Sequence, residues 1–227
     1  MKYKLGLLLI TLIMTIGTID AHRSHGDTSD QNTTVCDVLA HFPNSYLAIL
    51  PPNARLDMID YLKADSLVHV RNAYRGESWI MEHNPTYLKV HITNASTLQI
   101  KQLTDSKGQK IFMAIYTISA EDVVADSQIL FFDGNVKELE TRRYFRLPDP
   151  KSFWKTPADK IDKEERKELE KAVPFYAIEY SASPESDLLI GRISSISYLS
   201  EEMKAKVAPM MLKEMIWQWD GKRFEKQ

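Results

Sequence analysis

In "NARLDMIDYL" (residues 53–62) two carboxylates, Asp57 and Asp60, stand three residues apart beside Arg55. On a helix that spacing puts the two side chains about 5–6 Å from each other, close enough for an acid–base pair or for two ligands of a divalent metal. The same stretch has a plainer reading. Asn53 suits a helix N-cap, and Leu56, Ile59 and Leu62 follow at helical spacing, with Met58 and Tyr61 widening the apolar stripe. Asp57 and Asp60 then fall in the first turns, where carboxylates complement the helix dipole and Arg55 can reach one of them. A solvated helix face is expected, and no catalytic or metal pair.

Other chemistry-bearing residues are sparse. Cys36 and His41 could pair as thiolate and base, but they lie five apart with no acid to orient the imidazole. His22 and His25 fall short of the ligand number of a specific copper or zinc site. G-x-S-x-G, H-E-x-x-H, P-loop and dinucleotide-binding fingerprints are all absent. Dispersed carboxylates could still meet in three dimensions as a glycosidase-like pair, since such chemistry needs only two acids at the right separation. No catalytic residue, cofactor or metal is assigned on this basis.

The elements that would hold any site begin after an apolar leader. "MKYK" is a short basic run, and "LGLLLITLIMTIGTI" is apolar from Leu5 to Ile19, too short for a comfortable membrane span. It ends in "TIDA", so residues 1–21 read as a secretory signal peptide cleaved near Ala21. No later stretch approaches membrane-spanning length. The chain carries 29 basic and 31 acidic side chains, a net charge of −2. That balance gives no basic excess for a phosphate backbone, and nucleic acid is not an expected partner. Cys36 is the one cysteine, so an intramolecular disulfide is impossible and stability must come from the core. Export without disulfides points to a periplasmic or secreted bacterial protein.

Residues 22–41 open with the polar "HRSHGDTSDQNTT" and read as a disordered leader. Residues 42–145 read as a first half, a helix followed by a meander. "YLKVHI" and "TLQIKQL" alternate as half-buried strands, with His91 on the outward parity at the surface. "KIFMAIYTI" is apolar at both parities, a strand buried on both faces, and "SQILFFDG" ends a fourth strand in a turn signal. Residues 146–161 form a linker with Pro148, Pro150 and Pro157, anchored by Phe153 and Trp154. Residues 162–227 form the second half. It holds a charged helix from Asp162 to before Pro174, then "FYAIEY" with Tyr176, Ile178 and Tyr180 on one face. "DLLIGRISSISYL" supplies one long strand or two, Ser200 caps a helix ending near Pro209, and "EMIWQWDGKRFEK" is the last strand. Trp217 and Trp219 share one face of it, with Trp219 expected to be structural.

"SQILFFDGNVKELE" (127–140) aligns without gaps on "EMIWQWDGKRFEKQ" (214–227), setting Ile129 on Ile216 and Phe132 on Trp219. A duplicated helix-plus-strands unit around one sheet follows as an expectation. The fold class is α+β, an antiparallel meander sheet packed by helices.

"RLDMIDY", "DSQILFFD" and "WQWDGKRF" resemble a family of exported proteins of unknown function from Bacteroidales, over the chain from about Phe42 to its end. The resemblance implies an envelope or secreted location and α+β architecture, and brings no activity to any residue. It marks Leu56, Ile59, Ile129, Phe131 and Trp219 as core. Asp65-Ser66-Leu67 also resembles the short acceptor motif of protein O-glycosylation in that bacterial group.

Two functions fit. One is a non-catalytic envelope binding or accessory module that presents a sheet face to a protein or peptide, with Tyr87 and Tyr116 as exposed-parity anchors. The other is an envelope hydrolase using dispersed carboxylates. Export itself is testable at once. The mature protein is expected to begin within a few residues of His22; N-terminal sequencing of exported protein checks this, and an intact Met1 there would refute it.

Overall fold

The computed structural model describes residues 32–227 apart from 67, 121–122, 156–162 and 174. The expected signal peptide, His22, His25 and the start of the second-half helix at Asp162 therefore lie outside the described residues.

The chain enters the fold at a helix where a disordered leader was expected. Thr34 and Asp37 form a reciprocal capping box: Asp37 N–H donates to Thr34 Oγ1 at 3.2 Å, and Thr34 N–H donates to Asp37 Oδ2 at 2.8 Å. This starts α1 (Val35–His41), which buries Val35, Val38 and Leu39. Polar composition up to Thr34 hid an apolar stripe of only three residues. A single turn, α2 (Asn44–Leu47), leads to α3 (Pro52–Lys63).

Asn53 does not cap α3. Pro51 holds the N-cap position and Pro52 the first helical position, where its fixed φ and missing N–H both suit a helix start. The buried face of α3 is therefore Ala54, Arg55, Met58 and Ile59, while Leu56 is 48 % exposed and Tyr61 42 %. Leu56, expected in the core, points to solvent.

Arg55 is 1 % exposed and does not reach the aspartates. Its Nε donates to Leu50 O at 2.7 Å, Nη1 to Phe42 O, and Nη2 to Leu47 O at 3.0 Å and Asn44 Oδ1 at 2.7 Å. Three acceptors are carbonyls at the ends of α1 and α2 and in the loop after them, and the fourth is the Asn44 side chain at the start of α2. One planar fork thus satisfies helix-end groups that would otherwise be buried without a donor.

Seven strands follow in simple up-and-down order: β1 (Val70–Arg71), β2 (Glu77–Asn84), β3 (Tyr87–Thr93), β4 (Ser96–Thr104), β5 (Lys110–Ala120), β6 (Val123–Phe132) and β7 (Glu138–Leu139). All neighbours are antiparallel. One face, with Leu88, Val90, Ile92, Leu98, Ile100, Phe112, Ala114, Leu130 and Phe132, packs beneath α1 and α3. The other face carries Tyr87, Leu103, Ile111, Met113, Ile115, Ile129 and Phe131 into a second core. Cover on both sides is why β5 is apolar at both parities.

After β7 come α4 (Thr141–Tyr144) and a proline-started turn, Pro150–Phe153, whose Phe153 and Trp154 are buried as anchors. Then follow α5 (Lys163–Ala172), β8 (Ile178–Ala182), β9 (Leu188–Ile193), α6 (Glu201–Val207), β10 (Met215–Trp219) and β11 (Phe224–Lys226). Ser200 caps α6 by accepting from Met203 N–H. "DLLIGRISSISYL" gives one strand and a 3₁₀ turn, Ser195–Tyr198. The last stretch is a hairpin, because Asp220-Gly221 turns the chain with Gly221 at φ +91°.

These strands form a separate four-stranded sheet, β11-β10-β9-β8, stacked on the large one. The layers are thus helices, large sheet and small sheet, an α+β fold with an antiparallel meander. The duplication is not confirmed. Phe132 pairs with Glu138 and Trp219 with Phe224, a hairpin one residue tighter. Phe132 also faces the helix-side core and Trp219 the core between the sheets.

The sheets meet along β8. Its outward N–H groups have no strand partner and donate instead to side chains of the large sheet: Ile178 to Asp126 Oδ1 (3.3 Å), Tyr180 to Ser127 Oγ (3.0 Å) and Ala182 to Gln99 Oε1 (3.1 Å). Gln99 and Lys101, on a parity expected to be wet, are buried by this cover. Lys101 Nζ donates to Pro184 O at 3.0 Å in the β8–β9 turn. Gly191 stands opposite Tyr180, where a Cβ would come within 3.0 Å of the Tyr180 and Trp217 rings. Trp219 is buried, and its Nε1–H donates to Thr104 O at 2.8 Å across the sheets. Among the described residues no helix is long and apolar enough to cross a membrane.

Arg55→Ala strands three buried carbonyls, besides the amide oxygen of the exposed Asn44. At about 1–3 kcal/mol for each acceptor left unsatisfied in the interior, a loss of at least ~3 kcal/mol is expected. Arg55→Lys, a point charge without the fork, should recover less than half of it. Urea denaturation of the three proteins checks this; a Lys variant as stable as the parent would mean that charge, not geometry, holds the helices.

Candidate functional site

The small sheet does not cover all of the large one. Over β1, β2 and the His91 end of β3 the outer face is open, and strand alternation decides what it shows. Ser78 and Ile80 of β2 turn inward, so Trp79 faces out. It pairs directly with His91 of β3, and the two rings stack at 3.6 Å and 20°. His69, just before β1, stacks at 4.4 Å and 21° on the same indole. Its Nδ1–H donates to Glu77 Oε2 at 2.8 Å, which fixes the imidazole over the indole.

The turn beside the stack is built by Asn72, which is buried. Its Oδ1 accepts from Tyr74 N–H (3.1 Å) and Gly76 N–H (3.0 Å), and its Nδ2 donates to Ile92 O (3.0 Å). The β1–β2 turn is thereby tied to the floor of the sheet, with Arg75 in left-handed backbone at φ +66°. Tyr74 rides at its tip, 80 % exposed. The result is a shallow cleft of about 550 Å³ between this turn and the Thr93–Ala95 turn, with Trp79 as a wall.

From the stack a cross-strand row runs Trp79, His91, Thr97, Thr117, Ser127, in register from β2 to β6. Thr117 and Ser127 share a hydrogen bond of 2.9 Å, and Ser127 is the residue that holds Tyr180 N–H of β8. The open face and the sheet–sheet joint are thus one continuous row. His91 lies half-buried beneath Trp79, and its Nε2 has no partner among the described residues. Desolvation holds its pKa below the usual histidine range; a hydrogen bond with Asn94 opposes this, and the nearby His69 adds to it. The expectation of a plain surface histidine is corrected.

The residues singled out in the sequence do not converge. Tyr87, expected as an exposed anchor, is 2 % exposed and donates to Gln99 Oε1 at 3.2 Å beneath the small sheet. Burial raises its pKa far above the ordinary phenol value, and it is not available to a partner. Tyr116 is half-buried on the opposite, helix-side face. Asp57 and Asp60 are exposed on α3, and Asp60 lies 3.5 Å from Lys63. Cys36 is half-buried, its thiol pKa raised by burial and by Asp37, while His41 Nδ1–H donates to Asp37 O. Ser66 is exposed, with its N–H donating to Tyr61 O at 2.9 Å. Among the described residues no group of three or more His, Cys, Asp or Glu is placed to hold a metal. The signal for the stack was present as an outward Trp79 and an outward His91, but their cross-strand register was not.

Residues 28–224 match the family described as "Protein of unknown function (DUF3256)". The chain belongs to that family. The DUF3256 match starts before α1 and takes in both sheets, so the helix misread as leader lies within it. No curated protein matches the chain. Among solved structures it is similar to a domain of an uncharacterized protein from Porphyromonas gingivalis W83. The TM-score is 0.70 and the identity 23 %, over 85 % of this chain and 96 % of that one. At that identity the likeness establishes the fold alone.

His91 supplies a pH test. In the fold it binds a proton less readily than in the unfolded chain, so its contribution to stability is complete above the unfolded value of about 6.5 and is lost as pH falls from there through the lower folded value. The urea midpoint should therefore fall between pH 7.5 and 5.5, and fall less in His91→Phe, which keeps a stacking ring. Equal pH dependence in the two proteins would count against a depressed His91.

Proposed function

We propose that the protein is an exported, non-catalytic binding module of the bacterial envelope, and that a protein or peptide partner docks on the open sheet face at Trp79. The supporting observation is the stack itself: an outward indole already held between two imidazoles, beside a turn that lifts Tyr74 into solvent. Aromatic side chains dominate binding energy at protein interfaces. A ring fixed before binding gives up less rotamer freedom on contact, so more of its burial appears as affinity. The site is a shallow face with aromatic walls, and this form suits an extended surface more than a small substrate. Export rests on the basic and apolar start of the chain. The hydrolase alternative has no observation in its favour among the described residues.

Crosslinking on intact cells, followed by mass spectrometry of what is bound, tests the reading. Trp79→Ala and Tyr74→Ala should each reduce capture of the main partner by tenfold or more, consistent with hot-spot truncations of about 2 kcal/mol. Melting temperature should stay near that of the parent for Tyr74→Ala. Undiminished capture by both variants would move the site elsewhere.

A further inference from the structure

At the other end of the large sheet, three hairpin turns from both sheets surround a second cleft of about 520 Å³. They are the β4–β5 turn at Asp105–Gln109, the β6–β7 turn at Asp133–Lys137 and the β10–β11 turn at Asp220–Arg223. It is remote from Trp79: the eight residues from Thr97 to Asp105 run about 26 Å, at about 3.3 Å per strand residue.

Each turn opens with an aspartate whose carboxylate is committed to its own backbone. Asp105 Oδ1 accepts from Lys107 and Gln109 N–H, Asp133 Oδ1 from Asn135 and Lys137 N–H, and Asp220 Oδ1 from Lys222 and Arg223 N–H. The cationic side chains around the cleft are Lys107, Lys110, Arg143, Lys222 and Arg223. Lys110 donates to Thr33 O, and Arg223 pairs with Glu225. Lys107 and Lys222 make no side-chain hydrogen bond or ion pair among the described residues, and Arg143 has only the Tyr144 ring, 5.5 Å from its Cζ. The lining also holds the Asp105 and Asp133 carboxylates, so its five cations outnumber its acids by three.

The floor is apolar and fixed. Ile111 and Tyr144 are buried, Leu139 lies beside them, and the Tyr144 ring is stacked on Phe131 at 5.1 Å and Trp219 at 6.2 Å. The walls are joined across the two sheets, since Ser106 N–H donates to Gly221 O at 2.8 Å. Cations at a rim, an aromatic floor and rigid walls define one ligand chemistry. We propose that this cleft binds a small organic anion, an oxyanion head on an apolar body. The head meets Lys107, Lys222 and the Arg143 fork, which suits two oxygens of one phosphate or carboxylate. The body lies on Tyr144 and Ile111. A volume in the range of about 300–1,000 Å³ is that of ordinary small-ligand sites.

The probes are phenyl phosphate, benzoate, inorganic phosphate and phenol, each titrated into the full-length mature protein and followed by amide shifts in NMR. Phenyl phosphate and benzoate should saturate, moving the amides of Ser106, Lys107, Gly221 and Lys222. Phenyl phosphate should bind at least fivefold more tightly than inorganic phosphate, and phenol should not saturate. The Lys107→Gln/Lys222→Gln pair, both on exposed turns, should weaken phenyl phosphate tenfold or more, and Arg143→Gln should do so as well. Trp79→Ala should leave this binding unchanged, which separates the cleft from the open face. Equal affinity for phenyl phosphate and inorganic phosphate, or saturation insensitive to the lysine pair, would overturn the proposal.

Discussion

The fold depends on how an unpaired strand edge is made safe. β8 ends the small sheet, and every second N–H along it points away from β9 with no strand to receive it. Left dry, each would cost about 1–3 kcal/mol. Asp126, Ser127 and Gln99 receive them one for one; Asp126 and Ser127 lie on the stretch of β6 that β7 leaves unpaired, and Gln99 on β4 inside the sheet. The small sheet is therefore held at a fixed height and angle over β4–β6, where Trp217, Trp219 and Tyr180 can fill the space below it. The same joint decides what is left open. Along the row from Ser127 to Trp79, Ser127 and the buried Thr117 belong to the joint, while His91 and Trp79 lie beyond it.

Local pattern was enough for much of this. The parity of Leu88, Val90 and Ile92, the two-faced β5 and the Ser200 cap were all readable, because each depends on residues a few positions apart. What failed depended on partners far along the chain. Gln99 and Lys101 read as wet until β8 and its turn, some eighty residues later, are laid over them. Tyr87 failed for the same reason. Arg55 read as a surface charge because nothing in its neighbourhood of sequence says that helix-end carbonyls need a donor. The site was half legible: Trp79 and His91 each showed their outward parity, while the register that stacks them is set by a bulge in the β2–β3 pairing between Ile80 and Glu82.

The two sites use the same sheet in different ways. At one end an indole is stacked with two imidazoles beside an exposed tyrosine, which suits a broad contact. At the other, turns converge, and the cations of the lining outnumber its aspartates. Placing them at opposite ends of β4 lets each be occupied without crowding the other.

The terminal strands carry a further consequence. The large sheet finishes in two-residue strands, β1 and β7, and the small one in the three-residue β11 and the side-chain-covered β8. The stretch of β2 that β1 leaves uncovered holds a bulge and the charged Glu82, and on the stretch of β6 that β7 leaves uncovered Ala125 O and Ile129 O accept from the Ser194 and Thr141 hydroxyls. Short, kinked or charged margins give another chain no flat row of amides on which to add a strand. Neighbouring copies of the chain are thus offered little flat template for cross-β growth at these margins, and no disulfide is needed to achieve it.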